Sequence, residues 1–296
     1  MNLILQGSDF NASVIDELAR LVRAQRIVAL GTSAARLENI ACDDITRERA
    51  RETARQARLD AAFVPAGQRL ADFRVLAMDM DSTLINIECI DEIADAVGRK
   101  AEVAAITEAA MRGEIADFAE SLRRRVALLK GVPASALEKV FTERLRLNPG
   151  AERLLSTARA AGLKTLLVSG GFTFFTSRLQ QRLQFDEAHS NVLEIENGVL
   201  TGRVLGRILD ASGKAAALVE LCQKIGADPK QHAIAIGDGA NDLRMMGEAA
   251  ISVAYHAKPA VQAAATHAIQ YSGLDAILNW FEDTAGTGPS TGTPIS

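Results

Sequence analysis

The sequence lacks several features that would place it in a specialised class of protein. Its three cysteines, Cys42, Cys89 and Cys222, are scattered and fit neither a disulfide framework nor a zinc site. The 33 Lys+Arg and 37 Asp+Glu give a net charge of −4 without any basic block, so we expect no binding to nucleic acid or to a membrane. No apolar run approaches the roughly 20 residues of a membrane span. The first residues lack a basic leader and a long apolar stretch, which predicts a cytoplasmic protein with reduced thiols.

The length of 296 residues predicts about two globular domains. The first, residues 1–70, reads as strand, helix, strand, strand, helix, strand, with elements at Leu3–Gln6, Ala12–Ala24, Arg26–Leu30, Leu37–Cys42, Ile45–Leu59 and Ala61–Val64. This order is typical of the small ferredoxin-like α+β fold. Because it holds no cluster suited to catalysis, we interpret it as an ACT-like module that regulates the protein, binds an amino acid or forms a homodimer, or as a structural appendage.

The second predicted domain, residues 71–283, has the pattern of an α/β protein. Short apolar runs separated by helical stretches lie at Val75–Met78, Thr165–Val168, Ala233–Ile236, Ile251–Val253 and His267–Gln270. They predict a Rossmann-like, doubly wound parallel sheet. A long helical insertion follows the first strand, at about 88–147, and Asn197-Gly198 predicts a hairpin. Residues 284–296 are rich in Gly, Ser, Thr and Pro, which predicts a disordered tail.

Polar residues follow three of these predicted strands. Asp79–Thr83 follow the first strand, Ser169–Gly171 the second and Gly237–Asp242 the third, while Lys214 opens the helix before the third strand. Ligands of open α/β sheets bind beyond the carboxyl ends of the strands. We therefore expect a single cavity to be bordered by the side chains of Asp79, Ser169, Lys214 and Asp238.

These residue types suit phosphoryl transfer with a metal ion. Of the carboxylates Asp79 and Asp81, one can attack phosphorus to form an aspartyl-phosphate, and the other can protonate the leaving oxygen and later take a proton from water. Carboxylates such as Asp79 and Asp238 can hold Mg²⁺, which prefers oxygen ligands. The groups that can hold phosphate oxygens are the Ser169 hydroxyl, the Gly170 N–H and the Lys214 ammonium.

This arrangement resembles the haloacid dehalogenase superfamily over about residues 74–280. The four motifs of that superfamily are matched in order by Asp79/Asp81, Ser169, Lys214 and Asp238/Asp242. The resemblance implies a Rossmann-like core, Mg²⁺ and an aspartate nucleophile. An acid at the position of Asp81 is similar to the phosphatases and phosphomutases of the superfamily, and differs from its dehalogenases and P-type ATPases.

Longer segments are similar to the branch of the superfamily that hydrolyses O-phospho-L-serine. They are Asp79–Ile85, Glu88, Ile90–Ala94, Ser121–Val126, Ser169–Phe172 and Gly237–Asp242. The resemblance implies hydrolysis of phosphoserine to serine and phosphate, the last step of serine biosynthesis. The alternatives are a phosphotransferase or mutase of the same superfamily, or a phosphatase for another small phosphomonoester such as phosphothreonine.

The same resemblance implies that the helical insertion at about 88–147 is a cap over the site. It implies Asp79 as the nucleophile and Asp81 as the acid, and it gives roles to further residues. Glu88 would meet the substrate ammonium and Arg125 its carboxylate, while Met111 and Phe118 would line the closed pocket. The remaining implied roles are phosphate binding by Gly170 and Gly171, substrate or phosphate binding by Asn241, a backbone carbonyl of Asp81 toward Mg²⁺, and support of the metal shell by Asp242.

Helical geometry gives independent support for one of these residues. At about 100° per residue, Arg125 falls inside an apolar stripe, whereas Arg123 and Arg124 point elsewhere. The stripe is formed by Phe118, Leu122, Val126 and Leu129. A guanidinium there needs an anion, which is either a substrate carboxylate or a cap acid in an internal salt bridge. Glu88 falls opposite the apolar face of its own helix, so the alternative for it is a solvated acid. For Met111 and Phe118, the alternative to lining the pocket is packing in the protein core.

Overall fold

The structure, a computed structural model, describes residues 1–115 and 117–284. The chain divides into two compact units. One comprises Met1–Arg74, Pro149–Leu163 and the residues from Val253 on, and the other comprises Val75–Asn148 and Lys164–Ser252. Within the described residues, no helix combines the length and the apolar composition needed to cross a bilayer. Of the tail predicted at 284–296, Thr284 is buried, and the rest lies outside the described residues.

Residues 2–64 form an antiparallel sheet with two helices. The elements are β1 (Asn2–Gln6), α1 (Ala12–Leu21), β2 (Arg26–Ala29), β3 (Ala34–Glu38), α2 (Asp44–Gln56) and β4 (Asp60–Val64). The order in the sheet is β2-β3-β1-β4, as in the ferredoxin-like fold. Each helix begins at a side-chain cap, since Asn11 accepts the N–H of Ser13 and Asp43 accepts the N–H of Thr46. The ACT-like role and the domain boundaries stay predictions.

Strand β3 differs from its predicted position at Leu37–Cys42. Asn39 has a φ of 53°, in the left-handed region that ends a strand and that asparagine adopts more readily than most residues. In the other direction, Ala34 and Ala35 pair with β1, although two alanines carry no strand pattern of their own. The strand is therefore defined by its partner rather than by local sequence.

The rest of the chain alternates strands and helices. In order these are β5 (Val75–Met78), α3 (Cys89–Ala96), α4 (Lys100–Met111), α5 (Phe118–Ala127), α6 (Ser135–Lys139), α7 (Ala151–Ala160), β6 (Lys164–Phe172), α8 (Thr173–Leu183), β7 (Glu187–Glu196), β8 (Val199–Leu205), α9 (Ala211–Lys224), α10 (Pro229–His232), β9 (Ala233–Gly237), α11 (Leu243–Glu248), β10 (Ile251–Tyr255), α12 (Pro259–Ala264) and β11 (His267–Ile269). Short helical turns lie at Leu70–Asp72, Met80–Leu84, Val140–Arg144, Ala240–Asp242, Leu274–Trp280 and Glu282–Thr284.

The unit that contains β5 is built on strands in the order β9-β5-β6-β7-β8. The first four are parallel, and β8 returns antiparallel to β7. Asn197 and Gly198 connect β7 to β8 with φ of 50° and 77°, the positive values that a tight hairpin of this kind requires. Strands β5 and β9 are buried along their whole length, as expected for parallel strands covered on both faces. The predicted Rossmann-like α/β core is confirmed.

Helices α3 to α6 form the predicted insertion between β5 and β6. Helix α3 packs on α4 and α6, and α5 packs on α4 and on β8. The two chain segments that lead into and out of the insertion run side by side. Ile85 and Leu147 form an antiparallel bridge, and the Asn86 N–H donates to the carbonyl of Arg146 at 3.0 Å.

In the other unit, β10 and β11 pair in parallel over Val253–Tyr255 and His267–Ile269. The His267 ring lies against Trp280, with ring centroids 4.7 Å apart. Burial lowers the pKa of His267 to about 4, with a smaller contribution from the charge of Arg51. This histidine is therefore neutral in the folded protein near neutral pH.

Candidate active site

The site lies at the carboxyl ends of β5, β6 and β9. Asp79 directly follows β5, and its backbone N–H donates to the carbonyl of Ile236 on β9 at 3.0 Å. The residue Asp79 is 4% exposed. The neighbouring strand thus holds Asp79 at a fixed position at the edge of the sheet.

Lys214 lies in the first turns of α9. The helix begins at Asp210, whose carboxylate accepts the Gly213 N–H at 2.8 Å. The Lys214 ammonium donates to Oδ1 of Asp79 at 2.6 Å and to Oδ1 of Asp242 at 2.7 Å. Burial alone lowers the pKa of Lys214, but these two carboxylates outweigh it and raise the pKa above its usual value. The lysine is therefore a fixed positive charge next to Asp79.

Asp81 and Ser169 are joined by a hydrogen bond. Oδ1 of Asp81 accepts the Cys89 N–H at 3.0 Å, and the Ser169 hydroxyl donates to Oδ2 at 3.4 Å. The Gly171 N–H in turn donates to the Ser169 Oγ at 2.8 Å. A Cβ at Gly171 would lie 2.7 Å from Oδ2 of Asp81, so the loop requires glycine for this close approach. Burial raises the pKa of Asp81.

Three carboxylates form a cluster that could hold a metal ion. Oxygen atoms of Asp79, Asp238 and Asp242 lie within 4.8 Å of one another. Both oxygens of Asp242 already accept hydrogen bonds, from Lys214 and from the Gly239 N–H. Asp79 and Asp238 therefore suit direct ligation, and Asp242 suits the supporting role that the resemblance implies.

The electrostatics of the cluster also fit a cation. Burial raises the pKa of Asp79 well above its usual range, and the neighbouring charge of Asp242 raises it further. Burial and Asp242 likewise raise the pKa of Asp238 to about 6. When ionised, the three carboxylates of the cluster carry more negative charge than the single Lys214 ammonium balances. A divalent cation with a preference for oxygen would balance it.

A pocket of about 110 Å³ opens onto these acids. It is lined by Asp79, Asp81, Glu88, Ile90, Phe118, Leu122, Arg125, Gly170, Gly171, Phe172, Asp238 and Asn241. Ser169 and Lys214 were expected to border the same cavity, but both are buried behind its wall, each hydrogen-bonded to a lining aspartate. That part of the expectation is wrong. They act on the pocket through Asp81 and Asp79.

Arg125 is the cationic side chain in this lining. Arg123 and Arg124 on the same helix are exposed, and the Arg124 guanidinium pairs with Glu120 at 2.7 Å. Burial lowers the pKa of Arg125, and Asp91 opposes this effect. Its Nε is buried without a hydrogen-bond partner, and no ion pair to it is found within the described residues. Arg125 therefore forms no salt bridge with Asp91 or Glu88 in this structure, although the charges of both acids act on it.

Glu88 lies in the pocket because it precedes the helix rather than belonging to it. Its φ of −94° and ψ of 107° are extended, so a helical projection from Ile90 does not apply to it. Although the residue as a whole is exposed, its carboxylate accepts the Ser82 hydroxyl at 2.6 Å. Burial of that carboxylate raises the pKa of Glu88 to about 8, with the charge of Asp81 contributing. Glu88 thus lines the pocket, as the resemblance implies, in a residue that is also exposed to solvent.

The remaining predicted residues fall around the same opening. The ring of Phe118 reaches Gly170, where a Cβ would lie 3.1 Å from its Cζ. Asn241 lines the pocket beside Asp238. Met111 ends α4, and its side chain lies outside the described part of the structure.

Sequence reasoning missed two residues that shape the loop after β5. The Thr83 hydroxyl donates to Oδ1 of Asp238 at 3.1 Å, which links the first and the last acidic segments. The Asn148 side-chain amide donates to the carbonyls of Thr83 and Ile85 at 2.8 and 3.1 Å. Thr83 could have been suspected from its position in the acidic motif. Asn148 is 65 residues away along the chain, and no local pattern marks it.

Comparison with known proteins agrees with this geometry. A family model described as haloacid dehalogenase-like hydrolase matches residues 76–247, more than half of the chain. A second model, described as a domain of unknown function, matches residues 3–49. A phosphoserine phosphatase of Polaromonas sp. strain JS666 is 62% identical over 214 residues, which cover 71% of this chain and 90% of that protein.

Two solved structures are similar over almost the whole chain. A probable phosphoserine phosphatase of Vibrio cholerae, in unliganded form, has a TM-score of 0.80 and 36% identity, covering 96% of this chain and 87% of its own. A haloacid dehalogenase-family hydrolase of Salmonella enterica serovar Typhi has a TM-score of 0.84 and 33% identity, covering 95% and 98%. This chain belongs to the haloacid dehalogenase-like hydrolases.

Proposed function

We propose that the protein hydrolyses O-phospho-L-serine to serine and inorganic phosphate, with Mg²⁺ as cofactor and an aspartyl-phosphate at Asp79 as intermediate. Its relative in Polaromonas carries the name phosphoserine phosphatase. The observation that carries the proposal is the pair of opposite charges in the pocket. Glu88 and Arg125 line the same small cavity as Asp79 and Asp81.

These two charges suit a zwitterionic amino acid. The Glu88 carboxylate can accept hydrogen bonds from an ammonium group, and the unpaired Arg125 guanidinium can bind a carboxylate through two parallel bonds. The pocket volume of about 110 Å³ is below the range of about 300–1,000 Å³ that is typical of sites for drug-sized ligands. The substrate is therefore small. An analogue that lacks either charge would leave a pocket charge unpaired, which is costly.

In the first step, the ionised Asp79 carboxylate attacks phosphorus and the bond from phosphorus to the seryl oxygen breaks. Asp81 donates its proton to that oxygen, so serine leaves as the neutral alcohol. The raised pKa of Asp81 suits a group that must carry a proton before the step. Burial raises the pKa of Asp79 as well, but the Lys214 ammonium, 2.6 Å from its Oδ1, opposes that shift and favours the ionised nucleophile.

In the second step, Asp81 takes a proton from water, and the water oxygen attacks phosphorus. The bond from phosphorus to Asp79 breaks, which releases inorganic phosphate and restores the free carboxylate. Mg²⁺, held by Asp79 and Asp238 with a carbonyl of Asp81, would neutralise the repulsion between the carboxylates and the phosphate oxygens. The Gly170 N–H, near the end of β6, would hold a phosphate oxygen. The Ser169 hydroxyl would act through Asp81, to which it donates at 3.4 Å.

A panel of small phosphomonoesters tests the proposal. Phosphate release is measured for O-phospho-L-serine, O-phospho-L-threonine, phosphoethanolamine, which lacks the carboxylate, and phosphohydroxypropionate, which lacks the amine. We expect the highest kcat/KM for phosphoserine and loss of activity with a chelator. Equal turnover of all four compounds would contradict the assignment of the two charges. Preferential transfer to an added alcohol would identify a phosphotransferase instead.

A further inference from the structure

A buried asparagine on β7, Asn191, contacts the backbone of the Ser169–Gly171 loop. Asn191 is 2% exposed, and its side-chain Nδ2 donates to the carbonyl of Gly170 at 2.8 Å. Its Oδ1 accepts the backbone N–H of Leu209 at 2.7 Å. Because a carbonyl only accepts and an N–H only donates, these two partners fix the orientation of the amide.

The pairing of β6 with β7 explains why the loop needs this side chain. Val168 lies opposite His189 and Phe172 lies opposite Asn191, so Ser169–Gly171 have the single residue Ser190 opposite them. Such a bulge takes backbone groups out of the regular ladder, and buried carbonyls then need other partners. The Asn191 amide provides one for Gly170. The Asn191 amide thus fixes the loop through a hydrogen bond to the Gly170 carbonyl.

The second partner of the amide leads to another part of the site. Leu209 directly precedes Asp210, the residue that caps α9, and Lys214 lies one turn further along that helix. One side chain therefore contacts both the loop that carries Ser169 and the segment that leads to Lys214. Of these residues, Gly170 lines the pocket, whereas Asn191 and Leu209 do not.

We propose that Asn191 is a positioning residue, whose amide fixes the Ser169–Gly171 loop relative to the start of α9 and so sets the geometry of the phosphate site. The proposal rests on the proposed phosphatase function. Asn191 acts through the backbone of Gly170 and Leu209 and touches no reacting atom. A displacement of about 1 Å at a reacting centre can cost about a hundredfold in rate, so loss of this link has a measurable effect.

The test compares Asn191→Leu, close in size but unable to bond, with Asn191→Ala, which leaves room for water. The matched control is Ser190→Ala on the same strand, which removes the part-buried hydrogen bond between Ser190 and Thr176 at 2.6 Å and leaves both hydrogen bonds of the Asn191 amide in place. For each variant, phosphorus NMR gives the dissociation constant of inorganic phosphate with Mg²⁺ present, and thermal unfolding gives Tm. Steady-state assays give kcat and KM.

We expect Asn191→Leu to weaken phosphate binding at least about fivefold and to lower kcat at least about tenfold. We expect the smaller effects of Asn191→Ala to have the same sign, and Ser190→Ala to stay within about twofold of the wild type. Phosphate binding and kcat within twofold of the wild type in either folded Asn191 variant would overturn the proposal. So would equal losses in Ser190→Ala at a similar drop in Tm. Binding of inorganic phosphate does not depend on the substrate, so a wild-type protein that fails on phosphoserine refutes the proposed function alone.

Discussion

Replacing Arg125 by alanine separates recognition of the substrate carboxylate from the chemistry of the phosphate. The guanidinium lines the pocket, and its Nε is buried without a partner. In the variant, a bound substrate carboxylate would be desolvated and unpaired. Removing one partner of a charge-assisted hydrogen-bonded pair costs about 2–4 kcal/mol, between the values for hydrogen bonds to charged groups and for buried ion pairs. At about 1.4 kcal/mol per tenfold, kcat/KM for phosphoserine falls about 30- to 700-fold.

A substrate without the carboxylate should respond differently. Phosphoethanolamine makes no bond to Arg125, so we expect its kcat/KM to change by less than about threefold in Arg125→Ala. The ratio of kcat/KM for phosphoserine to that for phosphoethanolamine is the quantity to measure. It cancels any change in enzyme concentration or in the chemical step that both substrates share.

The neighbouring Arg124 provides the control. Its guanidinium is on the same helix but is exposed and pairs with Glu120, so Arg124→Ala should leave both substrates nearly unchanged. Arg125→Ala should also unfold at about the same denaturant concentration as the wild type, because no ion pair is lost. Equal losses on the two substrates, or marked destabilisation of Arg125→Ala alone, would refute the carboxylate assignment and favour a structural role.

Three other predictions concern the nucleophile, the loop and a buried histidine. Asp79→Asn should lower phosphate release at least about a thousandfold with Mg²⁺ present, since an amide cannot attack phosphorus. Gly171→Ala should lower kcat at least about tenfold, because its Cβ would lie 2.7 Å from Oδ2 of Asp81, whereas Gly247→Ala meets no atom within 4 Å and should leave kcat unchanged. His267 stays neutral when folded down to its pKa of about 4, while the unfolded chain binds a proton below about pH 6.5. The free energy of unfolding should therefore fall by up to about 3 kcal/mol between pH 6.5 and 4, and less so in His267→Gln.

Each of these has an outcome that contradicts it. Near-native turnover by Asp79→Asn would remove the nucleophile from the scheme. Equal kcat for the two alanine variants would mean that a Cβ at Gly171 fits beside Asp81 without disturbing the site. Wild type and His267→Gln with the same dependence of unfolding free energy on pH, measured by urea titration, would show that another group titrates in this range.

Local sequence predicted the parts of the fold that depend on local chemistry. The apolar run Val75–Met78 is observed with those bounds, and Asn197-Gly198 turns the hairpin, because burial on both faces and positive φ leave direct marks on residue type. Strand β3 was displaced from its prediction because pairing with β1 decides its start. Local patterns do not contain that information.

The site shows the same division. The strand ends predicted which acids gather, and the helical period predicted that Arg125 alone of its neighbours faces the pocket. The position of Glu88 could not be obtained from that period, since the chain is extended there. Asn148 and Asn191 bond to distant backbone carbonyls across 65 and 21 residues of sequence. Such contacts exist only once the strands have paired, so a sequence pattern does not reveal them.

The most direct test of the account is to trap the enzyme during turnover. Enzyme mixed with Mg²⁺ and phosphoserine labelled in its phosphoryl group is quenched in acid within a single turnover, and the label bound to the protein is counted. In a second sample, borohydride replaces the phosphate by reducing the modified residue, which is then located by mass spectrometry of the peptides. The account predicts label on the Asp79 carboxylate, conversion of that residue to homoserine, and no label in Asp79→Asn. Label on the Ser169 hydroxyl, or phosphate release without any labelled protein, would contradict it.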